Sequence, residues 1–203
     1  MITLYGMTAS GNCYKPRLAM AKLGIPFRNV EVEPGVGTRD PEFLARNPNG
    51  MVPLLQLKDG AVLAESNAML LYLAEGTRLL PNDRYKRALA YQWMFFEQYS
   101  HEPYIAVRRA LLTFPNRKKD ATAERLAATL ERGDKALRVM ETHLERNDFF
   151  AGDEMSVADI ALYAYTHVAG EGGFDLTRYP MVWDWLKRVA RDPGHVSMDW
   201  LPE

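Results

Sequence analysis

Residues 47–55 read NPNGMVPLL, and how this stretch is parsed decides the fold of the first third of the chain. Asn, Pro, Asn and Gly crowd residues 47–50 and mark a turn. An apolar run then starts at Val52-Pro53. A proline inside a strand pattern is tolerated only at its start, at an edge or at a bulge, so a strand opens here.

Working outward, VPLLQL (52–57) and AVLAE (61–65) are two strand patterns joined by KDG (58–60), a hairpin signal. SNAMLLYLAEG (66–76) follows as a helix, with Ser66 as the expected N-cap and Gly76 as its stop. Upstream, DPEFLARNP (40–48) is a short helix bounded by prolines, and FRNVEVE (27–33) alternates like a half-buried strand. YKPRLAMAKLGI (14–25) is helical, with Leu18, Ala21 and Lys22 on one spacing and Gly24 as a stop, and ITLY (2–5) is a strand. The order is βαβαββα: a parallel crossover pair, then a hairpin, on one sheet.

From about residue 84 the pattern changes to long helices. Leu89, Trp93, Phe96 and Ser100 form one stripe, and Leu126, Leu130, Leu137, Met140 and Leu144 another. In MSVADIALYAY (155–165), Ser156 and Asp159 are spaced to form a capping box, with Met155 placed as a staple. The expected organisation is an α/β domain over 1–78, a linker at 79–85 and an all-helical domain over 86–203.

Composition narrows the function. The chain has 203 residues, 47% hydrophobic and 25% charged, with a net charge of −1. That balance gives no electrostatic support to a nucleic-acid or membrane-surface role. One cysteine excludes an intrachain disulfide framework and suits a reducing compartment. No apolar run is long enough to span a bilayer, and the N-terminus lacks the charged region of a signal peptide. A cytoplasmic location is expected. The four histidines are scattered, no metal-ligand spacing appears, and there is no phosphate loop or G-x-S-x-G elbow.

Three turns in the first domain can carry chemistry. SGNCYK (10–15) joins the first strand to the first helix, where backbone N–H groups face any bound anion. Ser10 adds a hydroxyl and Asn12 an amide, a place suited to a thiolate; both residues also suit an ordinary helix cap. Val52-Pro53, if cis, would turn the Val52 backbone outward to pair with an extended peptide. Glu65-Ser66, at a helix N-terminus, offers an acid for an ammonium and a hydroxyl with an N–H for a carboxylate, or plain capping.

Taken together, NPNGMVPLL, ESNAMLLYLAE and SVADIALYAY, in this order and at these separations, resemble the cytosolic glutathione transferases over essentially the whole chain. The resemblance is to bacterial types with a theta- or nu-like active-site turn. It implies a thioredoxin-like first domain, an all-helical second domain, and glutathione as co-substrate with no metal. It implies that Glu65 and Ser66 hold the γ-glutamyl end and that Val52, before a cis Pro53, pairs with the cysteinyl backbone. Thr38, Arg39, Asn49 and Met51 are implied to lie near the glycyl carboxylate. The thiolate is implied to be stabilised by Ser10, as in theta- and delta-like classes, or by Asn12, as in nu-like ones. Tyr5 lies near a tyrosine used by other classes, but sits inside a strand pattern. Cys13 falls on the partner position of a C-x-x-C turn whose first cysteine is replaced by Ser10, so packing rather than redox chemistry is expected.

One departure is Met51, where many members carry Lys; Arg39 or Lys15 would then have to meet the glycyl carboxylate. The electrophile is expected against FFEQYSHEPYIAVRRAL (95–111), with Tyr104, Val107 and Arg108 on one face. A homodimer and a role in detoxification are further expectations of the resemblance. The rival expectations are glutathione-dependent disulfide reduction, an isomerase or dehalogenase on the same fold, and a non-enzymatic binding protein.

Overall fold

A computed structural model describes residues 1–202. The first seven elements are β1 (Ile2–Gly6), α1 (Gly11–Lys22), β2 (Phe27–Glu31), α2 (Pro41–Arg46), β3 (Leu54–Gln56), β4 (Val62–Leu63) and α3 (Ser66–Ala74). This is the βαβαββα order read from the sequence. The sheet order is β2-β1-β3-β4. β1 runs parallel to β2, with Leu4 opposite Asn29, and antiparallel to β3, with Leu4 opposite Leu55. A parallel pair needs a crossover connection, and α1 supplies it, packed against α3. Leu4, Leu18, Leu54, Leu55, Met69 and Leu70 are fully buried between sheet and helices.

Strands β3 and β4 are shorter than their sequence patterns. Pro53 has no N–H for the ladder, and Glu65 takes φ +67°, which ends the extended run before α3. Helix α1 starts earlier than the apolar spacing suggested, at Gly11, so Ser10 is its N-cap. Ser66 is not a cap: Glu65 occupies that position, without a side-chain capping bond, and Ser66 is the first helical residue.

The remaining helices are α4 (Arg84–Phe96), α5 (Glu102–Thr113), α6 (Ala123–Leu144), α7 (Val157–Thr166) and α8 (Pro180–Arg191), with a π-turn at Glu97–His101 between α4 and α5. Their core holds Trp93, Phe150 and Trp185, with ring centroids 4.6 Å apart for the first pair and 5.1 Å for the second. Asp159 anchors this core. Its carboxylate accepts from the Phe150 and Ser156 amides, the Ser156 hydroxyl and Trp185 Nε1, all within 3.2 Å. The expected capping box is formed. Among the described residues, no helix is long and apolar enough to cross a membrane.

The chain divides into two compact units, residues 1–77 with 192–203, and residues 78–191. The expected linker therefore belongs to the second unit: Leu79 and Leu80 are buried, and the Leu79 carbonyl accepts from the Val157 amide. The last segment differs too, since the sequence pattern left it with the helices. It has no periodic element to betray its partner. What ties it to α1 is polar and long-range: Tyr14 Oη donates to the Val196 carbonyl, and Lys22 Nζ pairs with Asp192 at 2.7 Å. Gly194, at φ +75°, lies so close that a Cβ would meet Lys22 Cα at 2.7 Å.

Candidate active site

The turn after β1 is held on every side. The Met7 amide donates to Cys13 Sγ, and the Ser10 amide to the Met7 carbonyl. The Thr8 amide and hydroxyl both donate to the Glu31 carboxylate, at 2.9 and 2.7 Å. The Thr8 carbonyl accepts from Arg17 at 2.9 Å. Ser10 Oγ, half-buried, accepts from the Cys13 amide as the α1 cap. A hydroxyl that caps by accepting keeps its proton for another acceptor. The first turn of α1 carries no acidic residue, so its own sequence supplies no carboxylate to its N–H groups.

Asn12 and Lys15 lie three residues apart on the side of α1 that meets α3. The Ser66 hydroxyl donates to Asn12 Oδ1, and Lys15 Nζ donates to Ser66 Oγ, both at 3.4 Å; Lys15 also donates to Asn67 Oδ1 at 3.2 Å. Lys15 is fully buried. A buried ammonium and a helix N-terminus converge on one hydroxyl, which favours an anion there. Glu65, immediately before, is the one non-glycine residue at positive φ among the described residues, a backbone strain of the kind found at ligand clamps.

The Val52-Pro53 bond is cis. On the other side of it, Asn47 ties the loop: its amide donates to the Met51 carbonyl at 2.8 Å and its Oδ1 accepts from the Asn49 amide. Met51 is largely exposed. Gly50, at φ +62°, is packed so that a Cβ would sit 3.2 Å from the Thr38 carbonyl and 3.6 Å from the Arg39 guanidinium. Arg39 thus stands beside residues 50–51. Thr38 is buried and its hydroxyl accepts from the Gly35 amide, so it shapes the loop.

Profiles of the glutathione S-transferase N-terminal and C-terminal domains match residues 4–78 and 91–193. The chain belongs to the glutathione S-transferase family.

Among solved structures, a possible glutathione S-transferase from Rhodopseudomonas palustris is 51% identical, with a TM-score of 0.95 over all of this chain and 91% of that one. From Escherichia coli K12, the glutathione S-transferase GstB is 30% identical over 96% of this chain and 95% of its own. The disulfide-bond oxidoreductase YfcG of the same strain is 29% identical over 96% and 92%.

Other residues of this glutathione S-transferase family member take structural roles. Cys13 is fully buried, and burial pushes its thiol up to about 11. It packs in the core. Tyr5 lies on β1 with its hydroxyl donating to Gln56 and Arg46 over its ring, away from the turn. In the helical unit, Tyr104 Oη accepts from Arg132 at 3.2 Å, and Val107 is half-buried. Arg108 is neither solvated nor free: its guanidinium donates to the Gly172 and Leu126 carbonyls.

Lys15, Glu31 and Arg17 are the site residues that sequence reading underused. Lys15 stands at the Ser66 end, not the Arg39 end where the Met51 departure would have sent it. Its spacing from Asn12, and that of Arg17 from Cys13, were available as three- and four-residue helical neighbours.

Proposed function

We propose that this glutathione transferase binds its co-substrate along the first unit and activates the thiol at Ser10. The γ-glutamyl carboxylate meets the Ser66 hydroxyl, the α3 N-terminus and Lys15, with Glu65 on the ammonium. The cysteinyl backbone pairs with Val52, and the glycyl carboxylate reaches Arg39 beside Asn49 and Met51. The thiol then lies over the start of α1. Its proton leaves to solvent, the Ser10 hydroxyl and the α1 N–H groups hold the sulfur anion, and the sulfur forms a bond to an electrophilic carbon as the leaving group departs. Lowering the thiol pKa by two units requires about 2.7 kcal/mol. One or two hydrogen bonds to a charged acceptor, at about 1.5–3 kcal/mol each, supply it. Catalysis is then charge stabilisation plus positioning.

The observation that carries this reading is the Ser10 cap: a half-buried hydroxyl that accepts from its helix, above a first turn with no acid of its own. Asn12 is the other candidate to stabilise the thiolate; its carbonyl oxygen accepts from the Ser66 hydroxyl. The small electrophile meets the helical unit around Tyr104 and Val107; Arg108 supports that wall through its carbonyl bonds. A homodimer fits two exposed aromatics one turn apart, Phe95 at 74% and Tyr99 at 84%. A cytoplasmic setting and a detoxifying role complete the proposal.

The similarity to YfcG favours a second reading, in which the same thiolate reduces a mixed disulfide of glutathione. An ultraviolet difference titration of the glutathione complex tests the common step. Thiolate absorbance well below the free-thiol pKa, moved upward by Ser10→Ala, supports it. Binding without a shifted thiol refutes it, and no affinity for glutathione leaves a binding protein that keeps the fold. Turnover of an aryl halide against a small glutathionylated disulfide separates the two reactions.

A further inference from the structure

Arg17 is the least expected residue beside the turn. It is fully buried on the first α1 turns, where an unpaired charge is costly. One amino group, NH2, donates to two carbonyls from opposite ends of the sequence: Thr8 in the turn after β1, at 2.9 Å, and Met198 in the last segment. Nε is buried with no partner. Burial lowers the Arg17 pKa, and its charge acts on the Cys13 sulfur and on Glu31. Cys13 Sγ in turn receives the Met7 amide, and the Cys13 amide binds Ser10 Oγ. The guanidinium therefore holds, through the Thr8 carbonyl, the backbone two residues before Ser10.

We infer that Arg17 is a positioning residue for thiol activation, and that residues 192–202 act on the turn through it. The inference rests on Ser10 as the thiolate donor. The two carbonyls fix the guanidinium plane; the guanidinium fixes Thr8, whose other groups are held by Glu31. This sets the reach of the Ser10 hydroxyl. It also places a buried positive charge beside the turn that carries the developing anion, together with the negative charge of Glu31. The segment that supplies Met198 is anchored by Trp200, whose ring lies 6.2 Å from Phe27, and by Lys22 with Asp192. Arg17 bonds neither Ser66 nor the 47–53 loop, so it should act on the thiol and not on affinity.

The test is the bound-thiol pKa and steady-state kinetics of full-length Arg17→Met, Trp200→Ala and the double variant, with Ser10→Ala as reference. Arg17→Met is expected to raise the bound-thiol pKa by about one unit and to lower kcat by about tenfold at pH near 6 to 7, with KM for glutathione within about twofold. Trp200→Ala should shift the thiol less, and not at all when Arg17 is already Met, the mark of one shared path. Arg17→Lys keeps the charge on a shorter, non-planar side chain, so it should recover about half of the shift; it replaces Arg17→Met in the cycle if that variant does not fold. An unmoved thiol in the Arg17 variants, with Ser10→Ala shifting it, overturns the inference and leaves the Ser10 reading intact. Equal effects of Trp200→Ala in both backgrounds overturn the role of the last segment. An unmoved thiol in Ser10→Ala overturns the reading beneath.

Discussion

Two helices of this molecule begin with a serine cap, and they use it in opposite ways. At α7, Ser156 is buried, accepts from the Ala158 amide and donates to Asp159. Asp159 fills the anion position of that N-terminus and also receives Trp185 and Phe150. At α1, Ser10 accepts from the Cys13 amide, and the residue at the position of Asp159 is Cys13 itself, neutral and turned into the core. A helix start completed by its own acid is architecture. One left without an acid, and with its hydroxyl proton in hand, is prepared for an anion from outside.

The contrast breaks if the two serines behave alike. The largest effect is expected at Asp159. Its removal by Asp159→Ala leaves three N–H groups and a hydroxyl without their acceptor, and should destabilise the fold by about 3–5 kcal/mol in denaturant unfolding, with little change in kcat per folded molecule. Ser10→Ala should do the reverse: about a 10- to 100-fold lower kcat, glutathione affinity within a few-fold and a higher bound-thiol pKa. A Ser10→Ala enzyme with normal turnover, beside an Asn12→Ala enzyme that has lost it, would move the role to Asn12. Ser66→Ala should weaken glutathione binding by about tenfold by calorimetry, with saturated turnover close to wild type. Smallest is Cys13→Ala, expected to cost about 1–2 kcal/mol of stability as a lost core group and no activity. A native Cys13 that reacts with an alkylating agent at pH 8 would refute its assignment to packing.

Acid titration sharpens the same comparison. Burial pushes the Asp159 carboxyl up to about 6 from 3.8, against the hydrogen bonds that pull it down. The folded chain therefore holds this proton more tightly than the unfolded one. Its contribution to stability is complete below pH about 4 and is lost as pH rises to about 6. Unfolding midpoints across that range should lose this slope in Asp159→Asn. At α1 no such internal acid titrates, so the slope belongs to the second unit.

Much of this was legible in the sequence, for identifiable reasons. The βαβαββα order followed from turn residues and short apolar runs, and the capping box from the spacing of Ser156 and Asp159. Ser10, Val52-Pro53 and Glu65-Ser66 stand out because each breaks a regular pattern. What the sequence did not reveal depends on long-range polar contacts. Lys15 meeting Ser66 joins residues 51 apart, and Arg17 meeting Met198 joins residues 181 apart. Neither has a periodicity to read. Arg108 is a related case: the carbonyls it meets, at Gly172 and Leu126, lie 64 and 18 residues away and leave no periodic signal.

The return of residues 192–202 to the first unit bears on how the protein is made. During synthesis the sheet and its helices emerge first, and all of the second unit follows before Met198 leaves the ribosome. Until then the guanidinium of Arg17 lacks one of its two carbonyls, and Tyr14 and Lys22 lack theirs. The nascent first unit is therefore a complete sheet with an unfinished helix, and residues 192–202, translated after the whole second unit, are those that close it.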